Sequence, residues 1–336
     1  MNLGFDEQST MAKQCQKSHR KGLNRKNYLR SHQPNTLIMH FYTPLAILFL
    51  AAMQPIKAQI NDNHYRIYGA KEGKEVTLAD IATAMEQADV LFFGEEHNDS
   101  VAHHLELKMF ELMAECYGTR AVLSMEMFDR DVQLVMNEYL SGKIKEKHLK
   151  KDARVWNNYR DYRPMVELAR EKELHVICAN APTRYTNLAG REGQAALKSV
   201  PAESKKFFAP LPYATASGGY LDKLNNLMGH DSGAPAMSGG FDLVTGQSLW
   251  DATMAWSIAE YAKKNKGKKI FQVNGRFHSD EHFAIVTQLK KYAPKLKPLV
   301  ISCGPLETFS NPDWSKLKHL GDYVIITDPA VPKTYE

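Results

Sequence analysis

The feature that most constrains this chain is a strand-turn-helix signature that occurs twice. Val90-Leu-Phe-Phe-Gly94 is a short apolar run, and Glu95, Glu96 and His97 follow it directly. Asn98, Asp99 and Ser100 come next, residue types whose side-chain oxygens accept the free N–H groups of a first helical turn. The stretch predicts a buried strand, a tight turn and a helix. Lys269-Ile-Phe-Gln-Val-Asn274 repeats the pattern, ending in Gly275-Arg-Phe-His278 with Ser279 to Glu281 beyond it. In an open α/β sheet, ligands bind beyond the carboxyl ends of the strands. Both Gly-x-x-His turns therefore stand where chemistry or ligand capture takes place. A solvated turn is the competing reading for either copy alone, and the repetition argues against it.

The rest of the chain supplies a matching rhythm. Apolar runs at 90–93, 121–125, 174–179, 269–274, 299–303 and 323–327 read as six strands. Helical patterns fill most of the intervals: Val76 to Ala88, a stripe from Val101 to Cys116, Asp131 to Leu140 closed by Gly142, and a segment starting at Pro164. Leu249 to Tyr261 and the segment from His278 to about Tyr292 complete the set. Strands alternating with helices predict an α/β fold, a mainly parallel sheet flanked by helices. Residues 185–247 break the rhythm with Pro201, Pro210, Pro212, Pro235 and several glycines. They read as an inserted small helical subdomain or lid, carrying Tyr213, Tyr220, Met228, His230 and Met237.

Other strand ends add candidates. Glu126 follows the strand at 121–125, and its alternative role is a helix-start carboxylate favoured by the helix dipole. Asn180 and Arg184 follow the strand at 174–179 as anion or ligand contacts. Trp156, Tyr159 and Tyr162 have the spacing of core or groove lining. Cys178 and Cys303 lie in apolar runs expected to be neighbouring buried strands, and the cysteine spacing is not that of a zinc site.

The N-terminus reads differently. Residues 1–35 are basic and polar, and Phe41 to Met53 is an apolar run followed by Ile56-Lys57-Ala58. That is the pattern of a leader and signal peptide over 1–58, with cleavage near Ala58, an exported, periplasmic or cell-surface product, and Met39 as an alternative start. An uncleaved anchor is the other reading of the apolar run. The full chain carries 43 Lys/Arg and 38 Asp/Glu. Eight and two of these fall in 1–58, so 59–336 holds 35 and 36, near neutrality. The apparent basicity belongs to the leader, and the mature chain shows no nucleic-acid footprint.

Several of these motifs together resemble a known family, the ChaN-like haem-binding uptake proteins. The matching residues are Phe93-Gly-Glu-Glu-His97 with His103-His104, Ser124-Met-Glu-Met-Phe128, Tyr162-Arg-Pro164 and Ala179-Asn-Ala-Pro182. Trp250-Asp-Ala-Thr-Met-Ala255 and Asn274-Gly-Arg-Phe-His278 complete a series covering roughly 75–290 in order. The resemblance implies an α/β fold with an added helical region, an exported location and a role in haem or iron acquisition. The wider clan is similar to erythromycin esterases and to the TraB/Tiki group. That group includes metal-dependent peptidases, whose paired Gly-x-x-His motifs and glutamate match His97, His278 and Glu126.

Two functions of different class follow as expectations. In the first, a haem-binding protein for iron uptake, aromatic and apolar residues of the insertion clasp the porphyrin. The ligand-binding candidates are His104, Tyr162, Asn180, Arg184, Tyr220, His230 and Arg276; haem or another small ligand, a homodimeric partner and outer-membrane uptake machinery go with this reading. In the second, His97, Glu126 and His278 hold a zinc or manganese ion, and Glu95 or Glu96 activates water in a metal-dependent hydrolase. A binding module with a satisfied polar cluster is the bland alternative. Both sharp readings expect the two Gly-x-x-His turns to meet in space. Glu126 is expected to join them because successive βα units are usually neighbours.

Overall fold

The computed structural model describes residues 60–227 and 242–335. The chain opens with two strands that the apolar pattern did not reveal, β1 (Tyr65–Gly69) and the two-residue β2 (Lys74–Glu75). Then come α1 (Leu78–Ala84), β3 (Val90–Glu95), α2 (Ser100–Tyr117), β4 (Ala121–Asp129), α3 (Gln133–Leu140) and α4 (Glu146–Asp152). The central stretch holds α5 (Tyr159–Glu171), β5 (His175–Asn180), α6 (Thr183–Glu192), α7 (Gly219–Leu227) and α8 (Leu243–Lys264). β6 (Lys269–Gly275), α9 (Ala284–Tyr292), β7 (Pro298–Pro305) and β8 (Tyr323–Thr327) close it.

The eight strands form one sheet in the order β2-β1-β8-β7-β3-β6-β4-β5. β3 to β8 are parallel, and β1 and β2 add an antiparallel edge. The six strands expected from sequence are the six parallel ones. A parallel sheet is covered on both faces, so its strands read as continuous apolar runs. β1 (Tyr-Arg-Ile-Tyr-Gly) lies toward the edge, half buried, and carries no such run.

Alternation along each strand divides the core in two. Leu91, Phe93, Leu123, Met125, Phe271 and Val273 face α1, α2, α3 and α5. Val90, Phe92, Val122, Ile270 and Val300 face α8 and α9 through Met254, Ile258, Ile285 and Leu289. Between β5 and α8, α6 and two 3-10 segments (Gln194–Ser199 and Ala202–Phe207) pack Tyr185, Leu197, Phe208 and Tyr213 on Leu249 and Ala252.

Three local expectations change. Pro164 lies in the second turn of α5 rather than at its start. Cys178 in β5 and Cys303 in β7 are both buried, but β3, β6 and β4 separate their strands. β3 and β4 are successive parallel strands, yet β6 is inserted between them.

Candidate functional site

At the carboxyl edge of β3, Glu95 is buried at 1% exposure. Its Oε1 accepts from the Tyr162 hydroxyl at 2.7 Å and from His97 Nδ1 at 2.9 Å. Its Oε2 lies 3.1 Å from His103 Nδ1. Asp99 caps α2 by accepting from the Val101 and Ala102 amides, which sets the helix so that His103 and Glu106, one turn apart, return to the same spot. His103 Nδ1 is 3.3 Å from Glu106 Oε2, and His103 Nε2 donates to the His97 carbonyl at 3.1 Å. Burial works to raise the Glu95 pKa, but the hydrogen bond from His97 and the charges of His103 and His97 hold it below the usual carboxylate value. Glu106, with the same burial and the Glu95 charge beside it, is pushed well above.

A second polar group lies across the neighbouring strands. Glu126 Oε2 accepts from the Gly275 amide at 2.7 Å, and Oε1 lies 3.5 Å from His278 Nε2. A register shift in β4 between Met125 and Asp129 turns this end of the strand. His278 Nδ1 meets Asp251 Oδ1 of α8 at 2.6 Å, and Asp251 Oδ2 accepts from the Tyr220 hydroxyl at 2.7 Å. The Gln247 amide is 3.2 Å from His278 Nε2. Burial opposes a charge on His278, but Glu126 and Asp251 outweigh it and raise its pKa to about 10. The pKa of His97 is raised too, against burial, chiefly by the hydrogen bond to Glu95.

The two Gly-x-x-His turns lie side by side because β3 pairs with β6, Glu95 opposite Gly275. The glycines are required by mutual approach. A β-carbon on Gly94 would meet Arg276 Cα at 2.8 Å, and one on Gly275 would meet His97 Nε2 at 2.8 Å. Glu126 does reach this edge, through β6 rather than through direct pairing of β3 with β4.

Several expected roles need correction. Among the described residues, the three groups that bring one donor atom each within 4.8 Å of one another are Glu95, His103 and Glu106, not His97, Glu126 and His278. His103, not the adjacent His104, faces the edge; His104 is only half buried, its Nε2 has no hydrogen-bond partner, and burial with nearby Lys108 lowers its pKa. Glu96 is exposed and 3.7 Å from Arg276, which bonds Asp280 at 2.9 Å. Asn180 is buried at the end of β5, accepting from the Ala181 amide. Tyr220 is buried with its hydroxyl on Asp251, and Tyr213 is buried with its hydroxyl on the Thr245 carbonyl. His230, Met228 and Met237 lie outside the described residues. His103, Glu106, Gln247 and Asp251 received no role from the sequence. A His and a Glu three residues apart on a helix facing a Gly-x-x-His turn was the available signal for the first two; Asp251 lies within the Trp250–Ala255 motif, which marked the segment without giving this side chain a role.

Beside His97 lies an open cavity of about 680 Å³, lined by Arg154, Val155, Trp156, Asn158, Arg160 and Tyr335. The Trp156 ring meets His97 edge-on at 5.3 Å, and Asn158 donates to the His97 carbonyl at 3.3 Å. A second cavity, of about 400 Å³, shares Arg154 and Trp156 with the first and adds Met127, Thr183 and Arg184. Arg184 therefore does line a cavity, with its guanidinium 2.7 Å from Asp131. The C-terminal segment forms part of the first wall, held by the Thr334 amide on the Asn98 carbonyl and by Ser100 Oγ on the Pro332 carbonyl.

A mainly parallel sheet with imidazoles and carboxylates at its carboxyl edge, and an aromatic and cationic groove beside it, defines an α/β protein with a candidate ligand site. More narrowly, the chain belongs to the haem-binding uptake family ChaN of the Tiki superfamily, whose model matches residues 81–289. The structure of ChaN of Campylobacter jejuni, solved with cofacially bound haem, is similar over 80% of this chain and 98% of its own, at 14% identity and a TM-score of 0.59. A mutant of the erythromycin esterase EreC in its open conformation is similar over 79% of this chain and 83% of its own, at 13% identity and a TM-score of 0.43. No curated protein matches the chain.

Proposed function

We propose that this chain is an exported haem-binding protein that contributes to haem and iron uptake, with haem held in the groove beside His97. The observation that carries the reading is the groove's lining. Haem needs a flat apolar contact, cations for two propionates and a donor for iron. The Trp156 indole and Val155 supply the first and Arg160 the second, with Arg154, paired with Asp129 and Asp131, beside it and Arg184, paired with Asp131, in the adjoining cavity. The Tyr335 phenol and the His97 imidazole are donors of types known to ligate haem iron. The chain's own part is to fix His97: Glu95 holds Nδ1, Asn158 and His103 hold its carbonyl, and Trp156 covers its ring edge. A Soret band on addition of haem to purified protein tests the reading, and no spectral change at micromolar haem overturns it. Residues 1–58 serve in this proposal as leader and signal peptide; mass spectrometry of the exported protein should find a start near Gln59. A second copy of the chain and outer-membrane uptake machinery are the partners proposed with it, and sizing with and without haem checks the first.

Hydrolysis is a second reading, favoured by one arrangement, the His278–Asp251 pair facing Glu126. A general base works best with a pKa near the operating pH. Against its burial, Glu126 and Asp251 raise the His278 pKa to about 10, above the range that suits a general base at neutrality. Glu95 is occupied by three donors, and Glu96 is turned to Arg276. Release of acid or amine from ester and peptide substrates would favour this reading over haem capture.

A further inference from the structure

We infer that Glu95, His103 and Glu106 form a buried binding site for one divalent cation of the zinc type, distinct from the haem groove. The three side chains come from two elements, β3 and α2, and all are 7% exposed or less. Zinc bonds to nitrogen and oxygen of about 2.0–2.2 Å, at tetrahedral angles, set neighbouring donor atoms about 3.3–3.5 Å apart. His103 Nδ1 lies 3.1 Å from Glu95 Oε2 and 3.3 Å from Glu106 Oε2, close to that spacing, and the three groups bring donor atoms within 4.8 Å of one another.

The surroundings fit a ligand set better than a closed hydrogen-bond network. One ring N–H cannot serve two carboxylate oxygens fully; Glu106 Oε1 accepts no hydrogen bond, and without a cation the Glu95–Glu106 pair is held by a proton kept on Glu106, the place a metal ion would take. Unpaired buried carboxylate oxygens are costly, and a shared cation would satisfy them together. The outer contacts are those of a metal site. His103 Nε2 donates to the His97 carbonyl, so that on loss of the Nδ1 proton the ring would offer Nδ1 to a cation between the carboxylates. Tyr162 and His97 bond Glu95 Oε1 and leave Oε2 to face His103. One imidazole and two carboxylates suit zinc, and manganese less closely.

Equilibrium dialysis of the chelator-stripped full chain against Zn²⁺, with elemental analysis, tests the site. About one zinc per chain is expected. Glu106→Gln and His103→Gln, each close in size to the native residue, should weaken binding by at least about tenfold, the scale on which even outer partners of metal ligands act. His104→Ala should bind as the native chain does. Absence of bound zinc, or native affinity in both site variants, overturns the assignment. Should neither variant fold, the Cu²⁺-loaded native chain decides: electron paramagnetic resonance should show one imidazole nitrogen, and none, two or more would overturn it.

Discussion

The Nε2 atom of His97 lies 2.8 Å from where a β-carbon on Gly275 would stand. The two motifs are therefore interlocked: the glycine of the second turn is the floor beneath the histidine of the first. Gly275 has φ of −55°, so nothing in its own conformation calls for glycine. The need arises between strands.

Gly275→Ala and Gly94→Ala should thus differ. At Gly275 the intruding methyl meets a side chain that is one-third exposed and can swing away. At Gly94 it meets Arg276 Cα, and backbone cannot yield without moving β6. Overpacking of this kind costs about 1–3 kcal/mol. Gly94→Ala is expected at or above the upper end, read as a denaturation midpoint. Gly275→Ala should fall near the lower end while weakening haem binding more than its stability loss explains. Equal destabilisation by the two would show that the turns yield alike.

Tyr162→Phe removes the hydroxyl that donates to Glu95 at 2.7 Å, inside a fully buried contact. A hydrogen bond to a charged group is worth about 1.5–3 kcal/mol. A loss of that size in urea unfolding is expected, with the α/β circular dichroism unchanged. A loss below about 0.5 kcal/mol would mean that another donor replaces the hydroxyl.

How much of this was legible in sequence depends on the range over which the physics acts. The parallel strands and the two Gly-x-x-His edges announced themselves through apolar runs a few residues long. The convergence of His97, Glu126 and His278 on neighbouring strands required the strand order, and the neighbour rule gave a wrong route to it: β6 stands between β3 and β4. The choice of His103 over His104 is a matter of 100° of helix rotation, set by where Asp99 starts α2. Asp251 lay in a quoted motif, Trp250 to Ala255, but its role was not legible because only the packing of α8 on the sheet brings its carboxylate to His278. Tyr335 and the groove depend on a C-terminal segment returning to Asn98 across more than 230 residues.

The groove makes a graded prediction about ligand binding. Trp156→Ala removes the large flat face and should weaken haem by tenfold or more, since a buried aromatic contact of this size contributes about 1.5–3 kcal/mol. Arg160→Ala should cost less, because a solvent-exposed ion pair is worth about 0–1 kcal/mol. Its mark should be a shallower salt dependence of affinity. Titrations at two ionic strengths separate the two effects, and a Trp156→Ala variant with native affinity would move the haem elsewhere.

The last prediction concerns pH. His278 stands between Glu126 and Asp251, with Gln247 beside it and the charge of His97 in reach. Burial lowers its pKa, but the two carboxylates hold the folded value at about 10, against 6.5 for an ordinary imidazole. A group with its folded pKa raised stabilises most below the unfolded pKa, and that contribution is lost as pH climbs through the folded one. In the metal-free chain His103, also raised to about 10 against its burial by Glu106 and Glu95, acts in the same direction. Asp251 and Glu106, raised by burial, contribute a loss of stability that starts on the acid side, as pH rises through the ordinary carboxylate range. Glu126, lowered despite burial by His278, works on the acid side: its contribution is present above about 4.5 and lost as pH falls. The melting temperature should therefore peak at mildly acidic pH and decline from about 6.5 toward 10. Asp251→Asn removes one of the charges that hold the imidazolium, so its decline should be smaller and should level off at lower pH. Scanning calorimetry across that range checks both, and a melting temperature that rises between pH 6.5 and 9 would mean that the two histidines are buried neutral.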